Sequence, residues 1–185
     1  SAVNGPTLGG AAIEAALGQA GVAPETVDDV IMGCVLPAGM GQAPARQAAL
    51  AGGIPISVGA TTINKMCGSG MRATMMAADQ VAAGSASVVV AGGLESMSNT
   101  PYLLDKARGG YRLGNGKIYD HMFIDGLEDT IDQPGKLMGS FAEDTAEKYQ
   151  FTREQQDAFA LTSLERAKKA NEDGSFGEEI VPVTV

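Results

Sequence analysis

The sequence predicts an α/β fold built on a parallel sheet, and three observations carry that prediction. Apolar runs alternate with alanine-rich helical stretches through residues 1–100. Those runs are continuously apolar rather than apolar at every second position, as in strands covered on both faces. Glycine and charge also run in opposite directions. Residues 1–100 hold 16 of the 25 glycines and only nine charged side chains, against 26 charged side chains in the remaining 85 residues. The shift falls near Ser98-Asn99-Thr100-Pro101. It divides the chain into a closely packed first domain over 1–100 and a solvent-facing second domain over 101–185.

The elements follow in order. Gly10 to Ala20, alanine-rich with Ile13 and Leu17, reads as a helix. Val27 to Leu36 reads as a strand, and Ala45 to Ala51 as a short helix. Val58 to Met66 carries β-branched Thr61, Thr62 and Ile63 and reads as a strand. Ser69 to Ala83 reads as a helix closed by Gly84, with Met71, Thr74, Met75, Ala78, Val81 and Ala82 on one face and its methionines read as core filling rather than a cofactor box. Ser87 to Ala91 completes the set as a core strand.

The second part opens irregularly. Ala107 to Lys117 has four glycines and a turn-like Asn115-Gly116, the pattern of a protruding hairpin or loop. Ser140 to Glu143 fits a capping box opening a helix to about Tyr149, and Thr152 to Gln155 fits a second, opening a helix to about Asn171. In the latter, Phe159, Ala160, Ser163, Leu164, Ala167 and Ala170 share a face. Ile180 to Val185 reads as a strand.

Composition excludes several functions. An apolar fraction of 44% in 185 residues excludes general disorder. A net charge of −9 argues against nucleic acid, whose phosphates need a basic face. The longest strongly apolar stretch, Ala86 to Leu94, is too short for a membrane span, and the start has no signal-peptide pattern. Two cysteines are too few for a disulfide scaffold or a cysteine zinc site, which points to a reducing, cytoplasmic compartment and no metal. A single histidine, His121, excludes any two-histidine scheme within the chain.

Cys67 is the candidate nucleophile. It lies in Asn64-Lys65-Met66-Cys67-Gly68-Ser69-Gly70-Met71-Arg72, between an expected strand and an expected helix. Such a corner presents a side chain at the carboxyl edge of a sheet, where α/β proteins place their sites. The helix amino terminus, with unpaired N–H groups and a positive partial charge, favours thiolate over thiol. Gly68 and Gly70 would let a ligand approach the backbone. An inert buried cysteine is the alternative. Cys34, inside the apolar run Val30 to Leu36, reads as a small core residue. His121 reads as a surface or packing residue, with pairing to Cys67 left open. Glu95, the lone acid between Asp79 and Asp105, reads as a hydrogen-bond anchor for nearby loops, with acid/base work as the alternative.

These segments carry a resemblance. Asn64 to Arg72 resembles the active-site cysteine segment of the thiolases, and Gly92-Gly93-Leu94-Glu95-Ser96-Met97-Ser98 is similar to a second segment of that family. Val35 to Gln47, Glu154 to Ala158 and Glu179-Ile180-Val181-Pro182 resemble others. The matches occur in family order across nearly the whole chain, and the acetoacetyl-CoA thiolase branch fits best.

The resemblance implies a partial thiolase-like α/β domain followed by a mainly helical inserted loop domain that contacts coenzyme A. It implies acyl transfer between CoA thioesters through an acyl-cysteine, with Cys67 as the acylated nucleophile and no permanently bound cofactor. Leu127, Leu137 and Met138 match positions lining the family's pantetheine channel, although biosynthetic relatives often carry histidine at the position of Leu137. Ala107 to Lys117 resembles a loop through which some thiolases form tetramers, so a homo-oligomer is expected. Thiolases are about twice this length. The family's first strand and its C-terminal half, with an asparagine, a histidine and a second cysteine used in catalysis, have no counterpart here. The chain alone is therefore expected not to complete a catalytic cycle. A 3-ketoacyl synthase shares the architecture, but the Gly92 to Ser98 segment and the long charged second part speak against it. A non-catalytic assembly module with a vestigial cysteine is the reading from another class.

Overall fold

The computed structural model describes residues 2–185 and divides into two compact units, one over residues 1–126 with 183–185 and one over residues 127–182. This division falls later than the composition shift near Pro101. Residues 101–126 stay with the first unit because Tyr102–Leu103 pairs with Tyr119–Asp120, and His121 reaches back to Pro101 and Ala38.

The first unit opens with α1 (Gly5–Ala20), capped by Asn4, whose Oδ1 accepts from Thr7 N–H at 2.9 Å, and closed by Gly21 in the left-handed region. It begins five residues before the expected start at Gly10. Its glycines let it touch its neighbour. A Cβ on Gly10 would lie 2.6 Å from that of Ala51, and one on Gly9 would lie 3.0 Å from that of Ala48. That neighbour is α2 (Pro44–Ala51). Strand β1 (Asp29–Gly33) is central, β2 (Gly59–Ile63) and β3 (Val89–Gly93) flank it, and all three run parallel in the order β2-β1-β3. Helix α3 (Ser69–Ala82) connects β2 to β3. From β1 to β2 and from β2 to β3 the chain moves in opposite directions across the sheet. Right-handed crossovers then place α2 and α3 on opposite faces.

The core joins α1, α2 and one face of the sheet through Ile13, Leu17, Val30, Met32, Cys34, Ala48, Ala49 and Leu94. On the other face α3 packs against β1 and β3. Burial on both faces, expected of every strand, holds for β1 alone; β2 and β3 are only partly covered because they are the edges. The expected face of α3 is corrected too. Its buried residues are Ser69, Ala73 and Ala77, whereas Met71, Met75 and Val81 are exposed. Small residues face the sheet because the helix lies so close that a Cβ on Gly33 would meet Ser69 at 2.6 Å. Beyond β3, the short antiparallel pair β4 (Tyr102–Leu103) and β5 (Tyr119–Asp120) brackets the 107–117 segment, which is a loop with a single 3-10 turn.

The second unit is helical. A π-helical turn over Phe123–Leu127 leads into it, followed by α4 (Met138–Lys148) and α5 (Arg153–Glu172). The capping box at Thr152 and Gln155 forms as read, with Gln155 N–H donating to Thr152 Oγ1 and Thr152 N–H to Gln155 Oε1. The one expected at Ser140 does not, because α4 starts two residues earlier and Ser140 lies inside its first turn. No residue of α5 is buried, so its apolar face is uncovered; Phe159 and Leu164 are exposed. Residues 180–185 form no strand, since no neighbouring strand takes their backbone bonds.

Candidate active site

Cys67 is exposed and stands at the corner between β2 and α3. The strand ends at Ile63 rather than Met66, and residues 64–68 form a tight turn. Its pivot is Met66, at φ 49°, a left-handed conformation that non-glycine residues seldom adopt. Side chains on both sides of the turn hold it. Asn64 Oδ1 accepts from Met66 N–H at 2.9 Å. Ser69 Oγ accepts from Lys65 N–H at 2.8 Å and donates to Met66 C=O at 2.6 Å. Ser69 is 4% exposed, so its hydroxyl is fully spent on the turn. Helix α3 begins two residues after Cys67, with Gly68 as its amino-terminal cap. The thiol thus sits beside the amino-terminal end of the helix, in contact with solvent.

Gly68 and Gly70 leave space at the turn; a Cβ on either would find its nearest atom at 3.5 Å or beyond. The glycine the corner requires is Gly33 on β1, whose missing side chain admits the first turn of α3. Asn64, Ser69 and Gly33 escaped the sequence reading. Their signals were present: asparagine and serine bracketing a turn, and a glycine inside an apolar strand.

The other residues fall into place by their partners. Cys34 is 2% exposed in the core, and burial, followed by the adjacent Glu95 carboxylate, pushes its thiol up to about 11. Glu95 is an anchor: its carboxylate accepts from Val35 N–H at 2.8 Å and Leu36 N–H at 3.0 Å, with Cys34 Sγ at 3.6 Å. It holds the chain as it leaves β1. His121 is a packing residue, 5% exposed, with Nδ1 2.6 Å from Asp125 Oδ2 and Nε2 accepting from Ala38 N–H at 3.4 Å. That pattern fixes the tautomer with the proton on Nδ1. Both ring nitrogens are committed, and neither to Cys67.

Leu127, Leu137 and Met138 belong to the second unit. Leu127 closes the π-helical turn, Leu137 precedes α4 and is bridged to Glu128, and Met138 opens α4. Leu127 and Leu137 are half-buried and Met138 is exposed. In the same unit a cavity of about 780 Å³ lies between α4 and α5, lined by Ala142, Ala146, Phe151 and Phe159 among others. It includes none of the three. Among the described residues no cluster of three or more His, Cys, Asp or Glu side chains is placed to hold a metal ion, and no helix is long and apolar enough to cross a membrane.

An exposed cysteine on a strand-turn-helix corner does not by itself specify a function, and the comparisons narrow it. Residues 1–185 match the family model for the thiolase N-terminal domain. The chain is 52% identical over 180 residues to an acetyl-CoA acetyltransferase of Cupriavidus necator, covering 97% of this chain and 45% of that protein. It is 56% identical over 178 residues to acetyl-CoA acetyltransferase 2 of Arabidopsis thaliana, covering 96% and 44%. It is 50% identical over 179 residues to an acetyl-CoA acetyltransferase of Escherichia coli, covering 96% and 45%. The chain therefore spans less than half the length of these curated relatives, and over that span it belongs to the thiolase family as a thiolase N-terminal domain.

Proposed function

We propose that this chain supplies the acyl-accepting half of an acyl transfer between coenzyme A thioesters, with Cys67 as the residue that is acylated. The observation that carries this reading is the exposed thiol of Cys67 on a turn braced by its own strand and helix, in a chain of this family. The Cys67 thiolate attacks the thioester carbonyl of acetyl-CoA. The Sγ–carbon bond forms, the bond from that carbon to the sulfur of coenzyme A breaks, and coenzyme A leaves as a thiolate that takes up the proton Cys67 gave up. One thioester replaces another, so the step is nearly balanced in energy and runs in either direction. In the complete reaction a second acetyl-CoA, deprotonated at its methyl carbon, attacks the acyl-cysteine to give acetoacetyl-CoA; in reverse, coenzyme A cleaves a 3-ketoacyl-CoA.

Residues 101–185 serve as the loop domain that receives coenzyme A, with Leu127, Leu137 and Met138 along the pantetheine. This part of the reading rests on family positions. The chain does not complete the cycle alone, because no second cysteine or histidine stands ready as acid/base: Cys34 is buried against Glu95, and His121 is committed to Asp125 and Ala38. It works in the cytoplasm as a homo-oligomer.

Isotope exchange tests the half-reaction without the missing step. Purified chain mixed with acetyl-CoA and labelled coenzyme A should move label into acetyl-CoA, and Cys67→Ala should not. Exchange that survives Cys67→Ala would overturn the assignment. A chain that dimerises while showing neither exchange nor selective alkylation of Cys67 would instead be a non-catalytic assembly module.

A further inference from the structure

We propose that Asn64 and Ser69 are positioning residues, which pin the left-handed Met66 between them and so fix the direction in which Cys67 presents its thiol to an acyl thioester. The inference rests on the reading of Cys67 as the acylated residue.

Asn64 and Ser69 together make four hydrogen bonds that hold the backbone of the turn. Met66 N–H donates to Asn64 Oδ1 at 2.9 Å, and Met66 C=O accepts from Ser69 Oγ at 2.6 Å and Ser69 N–H at 3.0 Å. Lys65 N–H donates to Ser69 Oγ at 2.8 Å. The residue immediately before the nucleophile is therefore fixed at both its N–H and its C=O by side chains on either side of it.

Each clamp is tied to a different part of the fold. Ser69 is buried in the first turn of α3, seated on Gly33 of β1. Asn64 reaches the chain leaving β1, its Nδ2 donating to Val35 C=O at 3.4 Å. Val35 N–H is in turn held by Glu95 after β3 at 2.8 Å. The position of Cys67 is thus referenced to all three strands of the sheet.

A glycine at position 66 would take the same turn without support, since it enters the left-handed region freely. The chain instead carries a methionine there and commits two polar side chains to holding it. That arrangement stiffens the corner. Thiolate attack on a thioester carbonyl tolerates little misdirection, and a displacement of about 1 Å can cost on the order of a hundredfold in rate.

The test is single-turnover acetylation of the purified chain by acetyl-CoA, followed by intact mass, for wild type, Asn64→Ala, Asn64→Asp and Ser69→Ala. Ser69→Ala removes the hydroxyl without adding bulk against Gly33, and Asn64 is exposed. Loss of either clamp is expected to lower the maximal rate by about tenfold while leaving the half-saturating acetyl-CoA concentration within about twofold, since orientation and not binding is affected. Asn64→Asp keeps the acceptor for Met66 N–H but loses the Nδ2 donor to Val35 C=O, so it should recover part of the rate and stay faster than Asn64→Ala. Variants that acetylate within about twofold of wild type, or an Asn64→Asp as slow as Asn64→Ala, would overturn the inference. If Ser69→Ala loses cooperative unfolding, the two Asn64 variants decide alone. If wild type takes up no acetyl group, the functional reading fails for this chain and iodoacetamide alkylation of Cys67 judges the clamp by itself. A fall of about threefold or more in Asn64→Ala, partly restored in Asn64→Asp, would support it, and unchanged rates would sink it.

Discussion

The two cysteines of this chain show how far environment separates identical side chains. Cys34 is enclosed in the core with Glu95 beside it, and its thiol is pushed up to about 11, so it stays neutral and unreactive near neutral pH. Cys67 is exposed at a helix amino terminus. Iodoacetamide should therefore label Cys67 in the native protein at pH 8 and reach Cys34 only on unfolding; mass mapping that finds Cys34 labelled first would contradict the assignment. The raised Cys34 thiol also has a sign in stability. The neutral form is the one the fold favours, so its contribution is complete below the ordinary thiol range and is lost as the pH rises from about 9 toward 11. Urea titrations at pH 7 and pH 10.5 should show a smaller pH-dependent loss for Cys34→Ala than for wild type. Asp28 works in the opposite direction. The backbone N–H groups of Ser87 and Val88 donate to its carboxylate and hold it below the usual range. Its stabilisation is present near neutral pH and is lost on acidification below about pH 4, so the penalty of Asp28→Asn should shrink there. Residue chemistry was partly legible in the sequence. The contrast between the two cysteines followed from their flanks, and the anchoring role of Glu95 from its isolation. The clamp on Met66 was not legible, because a left-handed methionine has no one-letter signal.

Elements were read well where the code is local and poorly where packing sets it. The capping box of α5 is four residues of local hydrogen bonding and appears as read. Thr152→Ala should lower the stability of that helix by about 1 kcal/mol, measurable as a loss of helical ellipticity on heating. The exposed face of α3 was misread because a methionine stripe at helical spacing looks like a core face. The sheet instead receives Ser69, Ala73 and Ala77, and the reason lies on a distant strand: Gly33 has no side chain. Gly33→Ala puts a methyl carbon 2.6 Å from Ser69, against backbone as well as side chain. It should destabilise the first unit by about 2–3 kcal/mol and slow acylation of Cys67, because α3 must shift to make room. Wild-type stability and acylation in that variant would show that the seating of α3 on β1 does not govern the corner. The glycines of α1 carry the same lesson, since a helix start hidden by Gly5, Gly9 and Gly10 becomes clear once α2 is seen against them.

At the scale of the molecule, the parallel α/β architecture was legible because strand and helix alternate along the chain with matching turn chemistry. The way the chain divides was less so. Charge and glycine shift near Pro101, whereas the compact units part after Gly126, because residues 101–126 keep their hydrogen bonds to the first unit. Composition follows exposure to solvent, and exposure changes before the packing does. Among the described residues the outer edges of β2 and β3 have no strand partner, and Met71, Met75 and Val81 on α3 are uncovered. Unpaired edges and exposed apolar stripes favour association. Sedimentation velocity of the isolated chain should therefore show dimers or larger species, and a monomer at high concentration would contradict that expectation. If Cys67 is acylated as proposed, turnover should stop at the acyl-cysteine, because Cys34 is buried beside Glu95 and His121 is committed to Asp125 and Ala38. Steady formation of acetoacetyl-CoA by the purified chain would refute this.

Intact-mass spectrometry after mixing the chain with acetyl-CoA, with Cys67→Ala in parallel, tests the central claim most directly. A single acetyl adduct on wild type that is absent from Cys67→Ala is the predicted result. No adduct on the folded wild-type chain, or one that persists without Cys67, would contradict the account.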